Sequence, residues 1–315
     1  MGKINFAILG WGNIGQACAS VNSNLKSMHG NKHDLNLVGI IRRDASKGAS
    51  GVPKNVQVVS NVCDLSVAPR VIIYAGVTYE AQNIIPHYLK QGFITIDSFD
   101  THEKIWDIRN KFDKICQAHN TVAIHGAGWD PGFDSVQRAM LNAISPLDPF
   151  YTTFGGKEGG RSMGHTAELK KIAGVEDAVS LTFAGTKPGT HIRKAYVFAP
   201  DKSQHKRIHA QIQANNPYFI KNEKQCTEVL FVDAKGVKKH DTNKHGGITS
   251  SKGKAVSVNV DLYGINAIMT ANVLLATARA ACRMQSAGCY TMAEVPPIYY
   301  IFGKNLKDRL ERVRY

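Results

Sequence analysis

The chain has 315 residues, a formal net charge of +14, 43% hydrophobic and 20% charged residues. That is enough chain for two domains with sizeable cores, and the balance is globular, which excludes a disordered or fibrous chain. No apolar run approaches the ~20 residues of a membrane span, and none of the six cysteines forms a Cys-x-x-Cys pair, so no zinc or redox motif is expected. The start of the chain lacks the segments of a signal peptide, and a reducing cytoplasm is expected. The richest basic run, Lys235–His240, has no interleaved aromatics. The positive charge is therefore read as attraction of anionic ligands, with no nucleic-acid or membrane partner.

Ile4–Leu9 predicts a buried strand, and Gly10-Trp11-Gly12-Asn13-Ile14-Gly15 follows at once. Ile14, Cys18, Val21, Leu25 and Met28 then recur at helical spacing, and Leu35–Ile41 predicts a second strand. Strands are expected at Val71–Tyr74, Phe93–Ile96 and Val122–Ile124. Helices are expected over Tyr79–Gln91, with Pro86 inside, and over 102–118. This alternation predicts a doubly wound parallel sheet of Rossmann type.

The texture changes after Gly132. Asp130 is expected to cap a helix with Pro131 in its first position, and Phe133, Val136 and Met140 on its apolar face. Strands then dominate, around 178–184, 193–199, 226–232 and 254–262, with one helix near 203–213. Such a run predicts a second α+β domain with a mostly antiparallel sheet. A long Ala- and Thr-rich helix starts at Asn266 and returns to the first domain. The expected division is 1–128 with 264–315 for the dinucleotide-binding domain, and 129–263 for substrate binding and dimerisation.

Gly10, Gly12 and Gly15 lie between strand and helix, where a tight turn, backbone approach to a pyrophosphate and close helix–strand packing each need glycine. Trp11, Asn13 and Ile14 share the turn. The second strand ends in Arg42-Arg43-Asp44. Two arginines there suit a 2′-phosphate and point to NADP, while Asp44 leaves a ribose contact of the NAD kind open. Asp97-Ser98-Phe99-Asp100 and Gly128-Trp129-Asp130 follow the next strands, where ligands of open α/β sheets bind.

With these residues in view the chain resembles the meso-diaminopimelate dehydrogenase family over essentially its whole length. The resemblance rests on the glycine turn, Asp97-Ser98-Phe99-Asp100-x-His102, Gly128-Trp129-Asp130-Pro131-Gly132 and Ser162-Met163-Gly164-His165-Thr166. It continues through Gly174-Val175, Arg193, His245-Gly246-Gly247 and Gly288-Cys289-Tyr290-Thr291-Met292. It implies NADP-dependent oxidative deamination of the D-centre of meso-2,6-diaminopimelate, yielding L-2-amino-6-oxopimelate, which cyclises to tetrahydrodipicolinate, with ammonia. It also implies a homodimer and no metal. Asp100 and Asp130 become the candidate catalytic acids, with the choice of base open. Trp129, Phe154, Met163, Gly164, Thr182, Arg193, His245 and Asn266 become candidate substrate contacts. Gly76, Val77, Thr78, Ser98 and Phe99 join the glycine turn, Arg42 and Arg43 around the cofactor.

Two departures stand out. The 154–163 loop is longer than the family's usual one, and Gly155 stands where some members carry Trp. Lys104 replaces a second acid. These leave a broader D-amino acid dehydrogenase, or a non-catalytic NADP-binding sensor, as alternative readings.

Overall fold

The computed structural model describes residues 3–30, 33–53, 56–148, 150–155, 158–214, 219, 225–253 and 256–301. Parts of the 154–163 loop and of the expected strand 254–262, and the last residues of the expected first domain, lie outside these. The chain forms two compact units, Met1–Ala139 with Ala267–Tyr315, and Met140–Asn266.

In the first unit β1 (Ile4–Leu9), α1 (Asn13–His29), β2 (Leu35–Ile41) and β3 (Gln57–Val59) are followed by β4 (Val71–Tyr74) and α2 (Ala81–Leu89). Next come β5 (Ile94–Asp97), α3 (Ile105–Ala118), β6 (Val122–Ile124) and α4 (Phe133–Ile144). The expected parallel sheet is present: β1 pairs with β2 and β4 in parallel, and the pattern extends on both sides. The strands are apolar on both faces because helices cover both. Phe6, Ile8 and Ile40 pack with Cys18 and Val21 of α1 on one side. Tyr74 packs with Ile85 and Leu89 of α2 and Ile108 and Phe112 of α3 on the other. Periodicity alone also placed Met28 on the inner face of α1. It is 76% exposed, because the helix is in its last turn before Gly30, at φ +53°.

Two strands escaped the sequence reading. β3 is short and half-exposed. The last strand of the sheet, β14 (Gly288–Tyr290), comes from the far end of the chain and completes the order β14-β6-β5-β4-β1-β2-β3. It pairs in parallel with β6, with Cys289 opposite Ala123. Asp113 of α3 accepts from its Cys289 N–H at 2.8 Å. Asp113→Ala is expected to cost about 1–3 kcal/mol, since a buried N–H loses its acceptor; urea denaturation would measure it.

In the second unit β7 (Tyr151–Phe154), β8 (Gly160–Arg161), α5 (Met163–Lys170), β9 (Asp177–Ala184) and β10 (His191–Phe198) lead into α6 (His205–Ala214). There follow β11 (Gln225–Phe231), α7 (Ala234–His240), β12 (Lys244–Lys252) and β13 (Ser257–Ile265). One sheet runs β11-β10-β9-β8 and a second β13-β12-β7. All pairings are antiparallel except β10 with β11, so the expected mostly antiparallel unit is present. Three helices stand where one was expected. Leu169 of α5 and Ile208 and Ile212 of α6 bury against Ala178, Ala195 and Val197. Val237 of α7 covers Val179, Leu181 and Tyr196. Lys235, Lys238 and Lys239 of the basic run thus lie on the solvent side of α7, whose one buried residue was too little periodicity to read.

From Ala267 the chain rejoins the first unit. α8 (Asn266–Ala281) buries Ala271, Leu274, Leu275 and Ala278 in the same core as α1. Arg279 Nε on α8 lies 2.8 Å from Asp34 Oδ1, just before β2. β14 (Gly288–Tyr290) follows.

The region 128–133 departs from expectation. α4 starts at Phe133, so Asp130 is not its cap and Pro131 is not its first residue. Gly132 has φ +134° and cannot continue a helix backwards. Gly128 N–H donates to Pro131 O at 3.0 Å, and Phe133 N–H donates to Gly128 O at 3.0 Å, closing a tight turn across the cis Asp130–Pro131 peptide. The expected apolar face of α4 is also largely exposed: Phe133 is 42% and Met140 56% exposed.

Candidate active site

The glycine turn sits at the carboxyl end of β1. Gly10 has φ +107°, and a Cβ there would lie 2.9 Å from the Ala75 backbone. A Cβ on Gly15 would collide with the Gly10 carbonyl. At Gly12 a Cβ would meet open space instead. Gly12 is the N-cap of α1, with no side-chain cap bond and no acid in the first turn. The first backbone N–H groups of the helix therefore face outward without an internal acceptor, and their partial positive charge suits a pyrophosphate. Trp11 lies in this turn and Asn13 and Ile14 open α1, with Gln16 Nε2 donating to Trp11 O at 3.4 Å. The dinucleotide fits the residues present.

Arg42 and Arg43 leave the carboxyl end of β2, two strands' width from the turn of β4. Arg42 is half-buried and its guanidinium donates to Gly48 O; Arg43 is exposed. Asp44, the residue that kept NAD in play, spends its carboxylate locally. It accepts from Ser46 N–H at 3.1 Å and Ser46 Oγ–H at 2.5 Å, and Lys47 Nζ lies 3.6 Å away. It caps a short 3-10 turn. Arg43→Ala is expected to raise KM for NADP about tenfold and leave that for NAD within about twofold, the loss of one charge-assisted contact; paired titrations with both cofactors would check it.

Gly76, Val77 and Thr78 follow β4. Tyr74 Oη–H donates to Val77 O at 2.8 Å, which folds this loop back over the strand end. Ser98 and Phe99 follow β5 in the same way, Phe99 being 2% exposed. Thus the loops after β1, β4 and β5 share one edge of the sheet, as the topology requires.

The two candidate acids lie on loops after adjacent strands, β5 and β6. Burial pushes the Asp130 carboxyl up from 3.8 to about 6, opposed by His102, raised further by Asp134 and lowered by Arg138. Its side chain is 8% exposed, and His102 Nε2, itself 56% exposed, lies 3.6 Å from Asp130 Oδ2. Asp100 is the more exposed of the two. Desolvation raises its carboxyl as well, against its own backbone, His102 and a hydrogen bond with Thr78. His102 thus acts electrostatically on both acids. Trp129 is buried beside Asp130, and its carbonyl accepts from Asp134 N–H at 2.8 Å.

The remaining candidates lie in the second unit. Arg193 on β10 faces Thr182 on β9 in register, and Thr182 also pairs with Gly160 of β8. Arg193 Nη1–H donates to Gln225 Oε1 at 2.8 Å, and burial lowers the guanidinium to about 10. Around it the imidazoles are kept neutral. Burial first, and Arg193 second, push both His191 and His245 down to about 4. His245 lies within β12, not in a turn, and Gly160 leaves room for its ring. Phe154 meets His191 edge-on at 5.8 Å. The result is one strong cation among neutral donors and acceptors, an environment for a carboxylate. His191 and Gln225 were not found from sequence, because only the strand pairing brings them to Arg193. Met163 and Gly164 open α5, and Asn266 opens α8 just beyond Gly264, the partner of His245.

Gly155 has a backbone cause. It sits at φ +85°, and a Cβ would collide with the Thr182 carbonyl. The smaller wall expected at this position is therefore enforced by close strand approach. Lys104 is exposed at the start of α3.

A parallel sheet that offers a bare helix N-terminus to pyrophosphate, with carboxylates of raised proton affinity beyond neighbouring strand ends, is the architecture of a dinucleotide-dependent dehydrogenase. A model of the diaminopimelic acid dehydrogenase C-terminal domain matches residues 128–267. The meso-diaminopimelate D-dehydrogenase of Bacteroides fragilis is 34% identical over 298 residues, 95% of each chain. That of Corynebacterium glutamicum is 29% identical over 337 residues, 99% of each chain. The solved C. glutamicum diaminopimelate dehydrogenase in complex with diaminopimelate superposes with TM-score 0.80 at 28% identity, covering 99% of this chain and 100% of that one. An engineered D-amino acid dehydrogenase bound to NADP+ gives TM-score 0.75 at 26% identity, covering 99% of both. The chain belongs to the meso-diaminopimelate D-dehydrogenase family.

Proposed function

We propose that the chain catalyses NADP-dependent oxidative deamination of the D-centre of meso-2,6-diaminopimelate, giving L-2-amino-6-oxopimelate, ammonia and NADPH. The observation that carries the reading is Asp130: a buried carboxyl with its proton affinity raised to about 6, on the strand-end edge that also bears the glycine turn. A base poised near the working pH is what proton removal from an ammonium group calls for.

NADP, when bound, supplies the hydride acceptor. The chain's residues do the rest. Gly12 and the start of α1 would hold the pyrophosphate, and Arg42 and Arg43 the 2′-phosphate. Asp130, with Asp100 beside it on the next loop, holds the D-centre ammonium and takes its proton, so that the carbon–nitrogen bond becomes an imine. The same pair then deprotonates the water that adds to it, and ammonia leaves. His102 passes protons to solvent. In the second unit Arg193 takes a substrate carboxylate, with Thr182 and His245 as neutral hydrogen-bonding neighbours. Trp129, Phe154, Met163, Gly164 and Asn266 complete the proposed contacts.

A homodimer and a cytoplasmic location belong to this reading. None of the six cysteines forms a disulfide, which fits a reducing compartment. Among the described residues no helix is long and apolar enough to cross a membrane.

The test is NADPH formation at 340 nm with each diaminopimelate stereoisomer, on the purified protein. Turnover with the meso isomer and little with the L,L isomer is expected. No turnover with the meso isomer overturns the reading. The exposed Lys104 favours a second reading, a broader D-amino acid dehydrogenase; equal kcat/KM for a D-monocarboxylic amino acid would establish it.

A further inference from the structure

Beneath the loops that carry Asp100 and Asp130 lies a carboxylate–imidazole pair with no part in the proton steps above. Asp97 ends β5, and His125 follows the end of β6, the adjacent strand. Asp97 is 1% exposed and His125 0%. His125 Nδ1 lies 2.9 Å from Asp97 Oδ2. The other carboxylate oxygen accepts from Phe99 N–H at 3.0 Å and from Gly126 N–H at 3.3 Å. The Asp97 main-chain carbonyl accepts from Ala127 N–H at 2.6 Å.

One residue therefore ties two loops. Phe99 is the neighbour of Asp100, and Gly126-Ala127 lead directly into Gly128-Trp129-Asp130. A carboxylate this deep is tolerable only when donors surround it, and here the donors are the backbones of the two acid-bearing loops. His125 fixes the carboxylate in turn. Its ring lies against Phe99, centroids 4.9 Å apart, and edge-on to Phe112 at 5.3 Å. Its Nε2 has no hydrogen-bond partner among the described residues. The ring's polar contact is with Asp97, and the acceptor there assigns the proton to Nδ1.

We infer that Asp97 and His125 form a positioning pair that holds the loops of Asp100 and Asp130 in one arrangement for the proton steps. This rests on the roles proposed above for those two acids. The pair touches neither substrate nor cofactor; it sets where the acids stand. Misplacing a reacting group by about 1 Å costs on the order of a hundredfold in rate.

Four variants test it. In Asp97→Asn the amide oxygen still accepts from both loop N–H groups, and its NH2 donates to His125 Nδ1 once the ring proton moves to Nε2. Asp97→Ala removes all of this. In His125→Asn the side-chain NH2 can stand where Nδ1–H stood; His125→Leu fills the space without a donor. The readouts are kcat, KM, the NADPH dissociation constant by fluorescence, and amide hydrogen exchange at 98–101 and 126–130. Asp97→Ala and His125→Leu are expected to lose about 10- to 100-fold in kcat, with NADPH binding within about twofold and faster exchange in both loops. Asp97→Asn and His125→Asn are expected to stay within about threefold in kcat.

The inference is overturned if Asp97→Asn loses as much kcat as Asp97→Ala while binding NADPH normally, since the charge itself would then be at work. It is also overturned if His125→Asn is no better than His125→Leu. If Asp97→Ala fails to bind NADPH, the two His125 variants decide. Turnover of the unsubstituted protein tests the underlying function separately. Should that be absent, loop exchange in His125→Leu against His125→Asn still decides the pair.

Discussion

Asp130→Asn is expected to lower kcat by about a hundredfold or more, the usual share of a positioned general base, while leaving KM for NADP within about twofold. Stopped-flow and steady-state NADPH formation would measure both. With the carboxyl raised to about 6 by burial, the free protein holds the base protonated at lower pH. Its kcat/KM should fall tenfold per pH unit below about 6, and Asp130→Asn should lose that limb. His102 and Arg138 pull the value down and Asp134 pushes it up, so substituting any of them should move the limb rather than abolish it.

The same shift has a stability consequence with a definite sign. Asp130 binds a proton more tightly folded than unfolded, where its value is near 3.8. Between about pH 4 and 6 the native state holds more protons, and stability falls as pH rises. Above about pH 6 the buried charge costs on the order of 3 kcal/mol, about two pKa units of differential interaction at roughly 1.36 kcal/mol each. Asp130→Asn should therefore melt higher than the unsubstituted protein at pH 8 and much the same at pH 4. Loss of activity with a gain in melting temperature distinguishes a poised acid from a structural one.

Arg193→Met should raise KM for the amino acid about 100-fold, roughly 3 kcal/mol, and change kcat less. A guanidinium half in a low-dielectric strand interior gives a fork of donors that a carboxylate matches. Burial already lowers it to about 10, so removing the cation relieves a desolvation cost. Methionine fills the volume, and melting temperature should hold or rise. A dicarboxylate substrate should suffer more than a D-monocarboxylic amino acid if Arg193 takes the far carboxylate, and equally if it takes the one at the reacting centre. Kinetics on both substrates separates these.

The first half of the chain was the more legible. Ile4–Leu9, Leu35–Ile41, Val71–Tyr74 and Val122–Ile124 are strands over the expected residues. Strands buried on both faces are continuous apolar runs, and the covering helices repeat at a different period. The second half resisted because its strands are half-exposed. β12, Lys244–Lys252, is Gly-, Ser- and Thr-rich and carries almost no hydrophobic signal. α5 and α7 are too short to show a period. Asp130-Pro131 resembled a capped helix start, and the closed turn at Gly128–Gly132 replaced it.

The sequence by itself determined the glycine turn, the two arginines after β2 and the acids at Asp100 and Asp130, because each is set by neighbours within a few residues. Only the tertiary structure decided the rest. Asp44 is taken up by its own cap, Gly155 is dictated by the Thr182 carbonyl, and Asp97 meets His125 across two strands. Local chain geometry fixes which residue types stand at a strand end. Hydrogen-bond partners and burial, which set a carboxyl's proton affinity, come from residues far apart in sequence, and no local pattern encodes them.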